Sequence, residues 1–242
     1  MDRLAWQAKV GLVVVSSSTV CEGRYPRVAP DVGFFTSRML LKDSGLAAIE
    51  AMERQAARAV EELASVPVDA IAYCCTVSGA LRGVAGDRDF CRDMEQRWKI
   101  PVTSTMLAAT QALQHLGLKR VVVTSPYPED HHEAERIYLE QTGIEAIAMH
   151  GMGFEKGNEF AKVTPEEIFQ FSLNAWDDAA DGLFISCMNF DAMPTVQALE
   201  DRIGKPVVTS HSATLWRALA LAGVETPISG HGRLLAERRG AR

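Results

Sequence analysis

The strongest constraint on this chain is an internal repeat. Four segments recur in the same order, each about 105–112 residues after its first copy. Lys9–Ser17 (KVGLVVVSS) returns as Lys119–Ser125 (KRVVVTS), and Asp69–Cys75 (DAIAYCC) returns as Asp181–Cys187 (DGLFISC). Pro101–Ser104 returns as Pro206–Ser210, and the helix end Leu116-Gly117 returns as Ala222-Gly223. A single Val-rich match means little, but four in order mark a duplication. The 242 residues therefore read as two similar lobes, 1–117 and 118–242. The lobes can exchange terminal segments, so that 210–242 completes the first.

Within each lobe, strand-length apolar runs alternate with amphipathic stretches. The runs are 9–15, 32–36, 70–74, 102–103, 120–124, 146–149, 182–186 and 207–209. Helical periodicity covers 46–63, 87–98, 104–116, 129–141, 165–179, 195–203 and 213–222. Thr164-Pro165-Glu166-Glu167 has an N-cap, a proline and two acids in the order that opens a helix. The alternation predicts an α/β fold of two lobes. Each has a mainly parallel sheet flanked by helices, and the two are related by a pseudo-twofold with the active site in the cleft between them.

Composition narrows the function. Aromatics are only 7% of residues, so Val, Leu, Ile and Ala must fill the core. The formal charge of −6, with no basic patch, speaks against nucleic acid as a partner. No apolar run approaches the ~20 residues of a membrane helix, and the opening Met-Asp-Arg-Leu-Ala-Trp lacks a signal-peptide pattern. Five cysteines, an odd number with no C-x-x-C pair, fit reduced thiols in the cytosol.

Ligands of open α/β sheets bind beyond the carboxyl ends of strands. Four such ends carry small polar groups or thiols: 16–19, 75–79, 124–127 and 186–189. The repeat makes Cys75 and Cys187 equivalent, so facing lobes would set the two sulfurs across one cleft. A buried structural thiol is the ordinary fate of a lone cysteine, but matched placement at two strand ends points to chemistry. Cys74 falls on the opposite face of its strand and should pack in the core. Cys91 reads as core or surface, and Cys21 has no assigned role. The hydroxyls of Ser17, Thr76 and Tyr127, with nearby backbone amides, are candidates to bind a carboxylate. The cluster 131–135 (HHEAE) reads as a solvated acidic first turn, and no metal is expected. Neither Gly151-Met-Gly153 nor Gly230-His-Gly232 makes a nucleotide fingerprint.

Taken in order, Val15–Thr19, Ser37–Met39, Ala72–Thr76, Thr124–Tyr127, Ser186-Cys187, Asp191–Pro194 and Pro206–Val208 resemble the aspartate/glutamate racemase superfamily. They are closer still to its maleate cis-trans isomerases and arylmalonate decarboxylase. The resemblance runs from Val10 to about Leu235. It implies Cys75 as nucleophile and Cys187 as acid, and Tyr127 as carboxylate ligand. It implies Ser17, Ser18, Thr76, Val77, Asn158 and Met188 as further substrate contacts. It also implies no cofactor, a small carboxylate substrate and a homo-oligomer, commonly a dimer. Ser18 stands where the isomerases carry an asparagine, and Cys75 stands where the decarboxylase carries a glycine. Both thiols together favour isomerase or racemase chemistry over decarboxylation. Two-thiol racemisation and decarboxylation remain enzymatic alternatives, and a two-lobed acid-binding protein is the non-enzymatic one.

Overall fold

In a computed structural model, residues 5–42 and 46–237 are described. The first lobe contributes β1 (Ala8–Val15), β2 (Val32–Met39), β3 (Ala70–Cys74) and β4 (Val102–Ser104). The second contributes β5 (Arg120–Ser125), β6 (Glu145–Gly151), β7 (Gly182–Ile185) and β8 (Val207–Thr209). Every pairing is parallel. The orders β2-β1-β3-β4 and β6-β5-β7-β8 are the same arrangement twice, as the repeat predicts. In each sheet the chain leaves its first strand toward one edge and returns to the other side, which creates a switch point beyond β1/β3 and beyond β5/β7.

Side-chain alternation gives each sheet two apolar faces, as a helix-covered parallel sheet requires. Val10, Leu12, Val14, Val121, Val123, Phe184 and Val208 share one buried core that crosses between the lobes. Val13, Ile71 and Tyr73 pack outward in the first lobe, and Val122, Leu183 and Ile185 do so in the second. Two helices fill the space between the sheets. Thr105–His115 follows β4 and reaches β8, while Ser210–Leu221 follows β8 and packs on β3 and β4. Each is opened by a side-chain cap, Ser104 or Thr209. Among the described residues, no helix is long and apolar enough to cross a membrane.

Three helical segments depart from the periodicity. The stretch 46–63 is two helices, Leu46–Glu53 and Ala56–Ala64. At the break, the Gln55 amide donates to the Leu40 carbonyl and accepts from its N–H, both at 3.0 Å, pinning the exit of β2. The helix expected over 87–98 starts at Thr76 and is broken at Gly83, whose φ is 66°. Gly79, Gly83 and Gly86 dilute the helical signal there. Val20–Val28 is helical although it contains Gly23 and, in its last turn, Pro26.

Candidate active site

The carboxyl ends of β1, β3, β5 and β7 converge on one cavity of about 580 Å³ between the lobes. Cys75 and Cys187 both line it, with Ser17, Ser18, Thr76, Val77, Tyr127 and Met188. Asn158 does not: it is exposed on the short helix Gly157–Phe160, and its neighbour Gly157 is at the wall instead.

Cys75 is half-buried and caps the helix that begins at Thr76, in extended backbone. The Ser78 hydroxyl donates to its sulfur over 3.1 Å. Burial raises the thiol above its ordinary value, and the Ser78 hydroxyl and backbone N–H pull it back down. A helix start is a favourable place for a thiolate, because its orphan N–H groups and dipole both favour negative charge.

Cys187 is buried in a different setting. Its φ of 113° is a conformation that side-chain-bearing residues rarely adopt. Ser210 Oγ accepts its N–H at 3.0 Å, and Asn189 N–H donates to its sulfur at 3.3 Å. Burial pushes this thiol up to about 12, despite the Tyr127 hydroxyl and Asn189 amide that favour the anion. A charge on Cys75 pushes it further the same way. At neutral pH Cys187 is therefore a protonated thiol, suited to donate. Strain of this kind, held in place by surrounding bonds, is characteristic of functional sites.

The other candidates divide by what already holds them. Thr76 Oγ1 is 3.2 Å from Ser210 Oγ, and because that oxygen also accepts the Cys187 N–H, the Thr76 hydroxyl keeps hydrogen-bonding capacity at the cavity. Ser18 Oγ donates to the Met188 carbonyl at 3.3 Å, and that carbonyl also lies 2.9 Å from His211 Nε2. Tyr127 is buried at the wall, where its hydroxyl favours the Cys187 anion. Ser17 keeps its side chain on the cavity.

Two features escape the sequence reading. Asn189 is a clasp between the lobes. Its amide accepts the Thr19 N–H at 3.0 Å and donates to the carbonyls of Gly157 (2.7 Å) and Ser17 (3.3 Å). It sits in the quoted Ser186–Asn189 strand end, but nothing local to the sequence distinguishes it from a turn residue. Asn189→Ala leaves three backbone groups without partners. We expect a stability loss of about 2–3 kcal/mol, read by urea denaturation, together with a raised KM.

The second feature corrects the reading of 131–135 as a solvated turn. Glu133 is on the outside, bonded to Arg136. His132 and Glu135 are buried, His132 lies 2.7 Å from Ser125 Oγ, and Glu135 lines the cavity. A 3-10 turn over Glu129–His132 precedes the helix Glu133–Gln141, and these two side chains turn inward.

Comparison with known proteins gives the site its context. The chain is 26% identical over 243 residues to the maleate isomerase of Alcaligenes faecalis, covering 94% of this chain and 96% of that one. It is 25% identical over 235 residues to the arylmalonate decarboxylase of Bordetella bronchiseptica, with coverage of 94% and 96%. The fold matches the Nocardia farcinica maleate cis-trans isomerase at a TM-score of 0.90 and 23% identity, covering 95% of this chain and 98% of that one. That structure is of a cysteine-to-serine mutant with a covalently bound succinylcysteine intermediate. The arylmalonate decarboxylase family profile matches residues 10–235, and with that match over most of its length the chain belongs to the arylmalonate decarboxylase family.

Proposed function

We propose that the protein is a cofactor-independent isomerase of small unsaturated carboxylic acids, working by maleate-type cis-trans isomerisation. The observation that carries this reading is a pair of thiols at equivalent strand ends on one cavity wall, one at a helix start and the other held protonated. An intact π bond forbids rotation. The Cys75 thiolate adds to one alkene carbon, forming a C–S bond and moving the π electrons toward the neighbouring carbon and its carboxylate. Cys187 donates its proton to that carbon. The C–C bond, now single, rotates; Cys187 then takes a proton back, the π bond re-forms and the C–S bond breaks. The maleate isomerases among the relatives, and the succinylcysteine in the Nocardia structure, support this course.

The donors offered to the reacting carboxylate are the Ser17 and Thr76 hydroxyls and the backbone N–H groups that open the helix at Thr76. Five free thiols suit a reducing compartment, and we assign the enzyme to the cytosol. We assign it a homodimer, which light scattering on purified protein tests.

Proton NMR of cis-alkene acids, with chelator and no cofactor, tests the reaction. Conversion to the trans isomer is the expected result. Deuterium entering a saturated stereocentre, with no alkene turnover, assigns the two thiols to racemisation instead.

A further inference from the structure

A four-carbon diacid fills only part of the cavity. Its volume of about 580 Å³ lies within the range of about 300–1,000 Å³ that houses drug-sized molecules. The two thiols, with the donors at Ser17 and Thr76, take up the end formed by the strands. The space beyond them is bounded by two helices.

On the helix Thr76–Trp98, the cavity is lined by Val77, Ala80 and Leu81. That i, i+3, i+4 set shares one face and begins two residues after Cys75. From Val77 to Leu81 the helix rises about 6 Å, the reach of a chain of about four or five carbons. On the helix Glu133–Gln141, Ala134 and Ile137 line the same cavity, one turn apart. Ala80, Met106, Tyr138 and Ala134 form one apolar cluster joining the helices, and the Tyr138 hydroxyl donates to Asp87 at 3.0 Å. These contacts fix the gap between the two apolar stripes.

The outer ends of the stripes are exposed. Among the described residues, the exposed large hydrophobic side chains are Leu40, Leu81 and Ile137, and two of these three stand at this cavity. Leu81 is 43% exposed and Ile137 42%. Exposed apolar side chains gathered at a cavity mouth are the mark of a ligand groove. Charge points the same way. Glu133, Glu135 and Glu155 line the cavity, and its described lining residues include no lysine or arginine to hold a remote anionic group.

We propose that the gap between these helices is a substituent site: the substrate is an unsaturated acid bearing an uncharged apolar chain of several carbons, which leaves the reacting alkene past Val77 and runs between Ala80 and Ala134 to Leu81 and Ile137. That the acid is unsaturated rests on the isomerase reading above. The chain asks for no hydrogen bonds and meets side chains that carry no hydrogen-bonding group. Each methylene it buries fully is worth about fourfold in affinity.

The experiment is calorimetric titration of the Cys75→Ser variant, which keeps the cavity, with methylmaleate and butylmaleate. The two probes differ by three methylenes. Butylmaleate should bind at least tenfold tighter, and full burial of the added chain would give roughly fiftyfold. Adding Leu81→Gln with Ile137→Gln should cut that ratio to about threefold or less. Each ratio is taken within one variant, so a general change in affinity cancels. Adding Leu81→Met with Ile137→Met instead, which keeps the rim apolar, should retain a ratio of at least tenfold. The proposal is overturned if the ratio is below tenfold in Cys75→Ser or in the methionine variant, or if neither probe binds. It is also overturned if the ratio stays above threefold in the glutamine variant, because the chain then lies on another wall. Wild-type turnover is a separate readout. The predicted binding ratios without isomerisation of either acid leave the substituent site standing and remove the Cys75 reaction. Isomerisation of both acids with equal kcat/KM, and with a binding ratio below tenfold, does the reverse.

Discussion

Replacing Cys75 by alanine should lower turnover on the order of 10⁴-fold or more, because Cys187, the facing thiol, is held protonated and is a poor substitute in forming the carbon–sulfur bond. The fold should survive. Cys75 is half-buried, and the helix it caps receives no side-chain bond from it, so the expected loss is about 1 kcal/mol. Circular dichroism and a thermal melt separate this outcome from unfolding. The pH profile of the wild type adds a second check. Burial holds the Cys75 thiol above its ordinary value of 9.0. Below that point the thiolate fraction grows about tenfold per pH unit. With an uncharged second substituent on the substrate, kcat/KM should therefore climb across the neutral range without a plateau before about pH 9. A profile flat from about pH 6 to 8 contradicts a thiolate nucleophile.

Cys187→Ala should produce a different failure. The nucleophile is intact, so substrate should still add to Cys75; the carbanion then takes its proton slowly from water, and with no thiol left to remove it again the saturated adduct accumulates. Turnover should fall by roughly 10²–10⁴-fold, the usual cost of losing a general acid. A mass increase of one substrate molecule should then be found on the Cys75 peptide. Because Cys187 is pushed up to about 12, it stays protonated throughout the neutral range. Its loss should therefore scale the pH profile down without moving the Cys75 limb. A companion variant tests the strain. At φ 113°, a side chain at position 187 is disfavoured where glycine is not. Cys187→Gly should thus melt higher than Cys187→Ala, by about 1 kcal/mol in stability, while being equally inactive. Equal melting temperatures would show that the conformation carries no cost.

The contrast between what the residues declare and what they conceal has a physical basis. Repetition and hydrophobic period are local signals. They disclose all eight strands, the common order of the two sheets, and the placement of Cys75 and Cys187 at matched strand ends. The side of the strand taken by Cys74, which is buried, follows from the alternation of a strand. The features that stay hidden depend on partners distant in the chain. Asn189 clasps Thr19 and Ser17 from about 170 residues away. Glu135 looks like an ordinary acid in a first helical turn until the lobes close over it. Thr76 gives no local sign of its partner Ser210, which arrives from the far end of the sequence. The helix at Thr76 is hidden for a local reason, since its three glycines mimic a loop.

Cross-linking tests the central claim most directly. A three-carbon bis-alkylating reagent, such as 1,3-dichloroacetone, is applied to the wild-type protein, and the digest is mapped by mass spectrometry. The account predicts one bridged pair joining the Cys75 and Cys187 peptides, suppressed when a substrate acid is present. Single adducts on one or both peptides with no bridge between them, under conditions where each thiol has reacted, would contradict it.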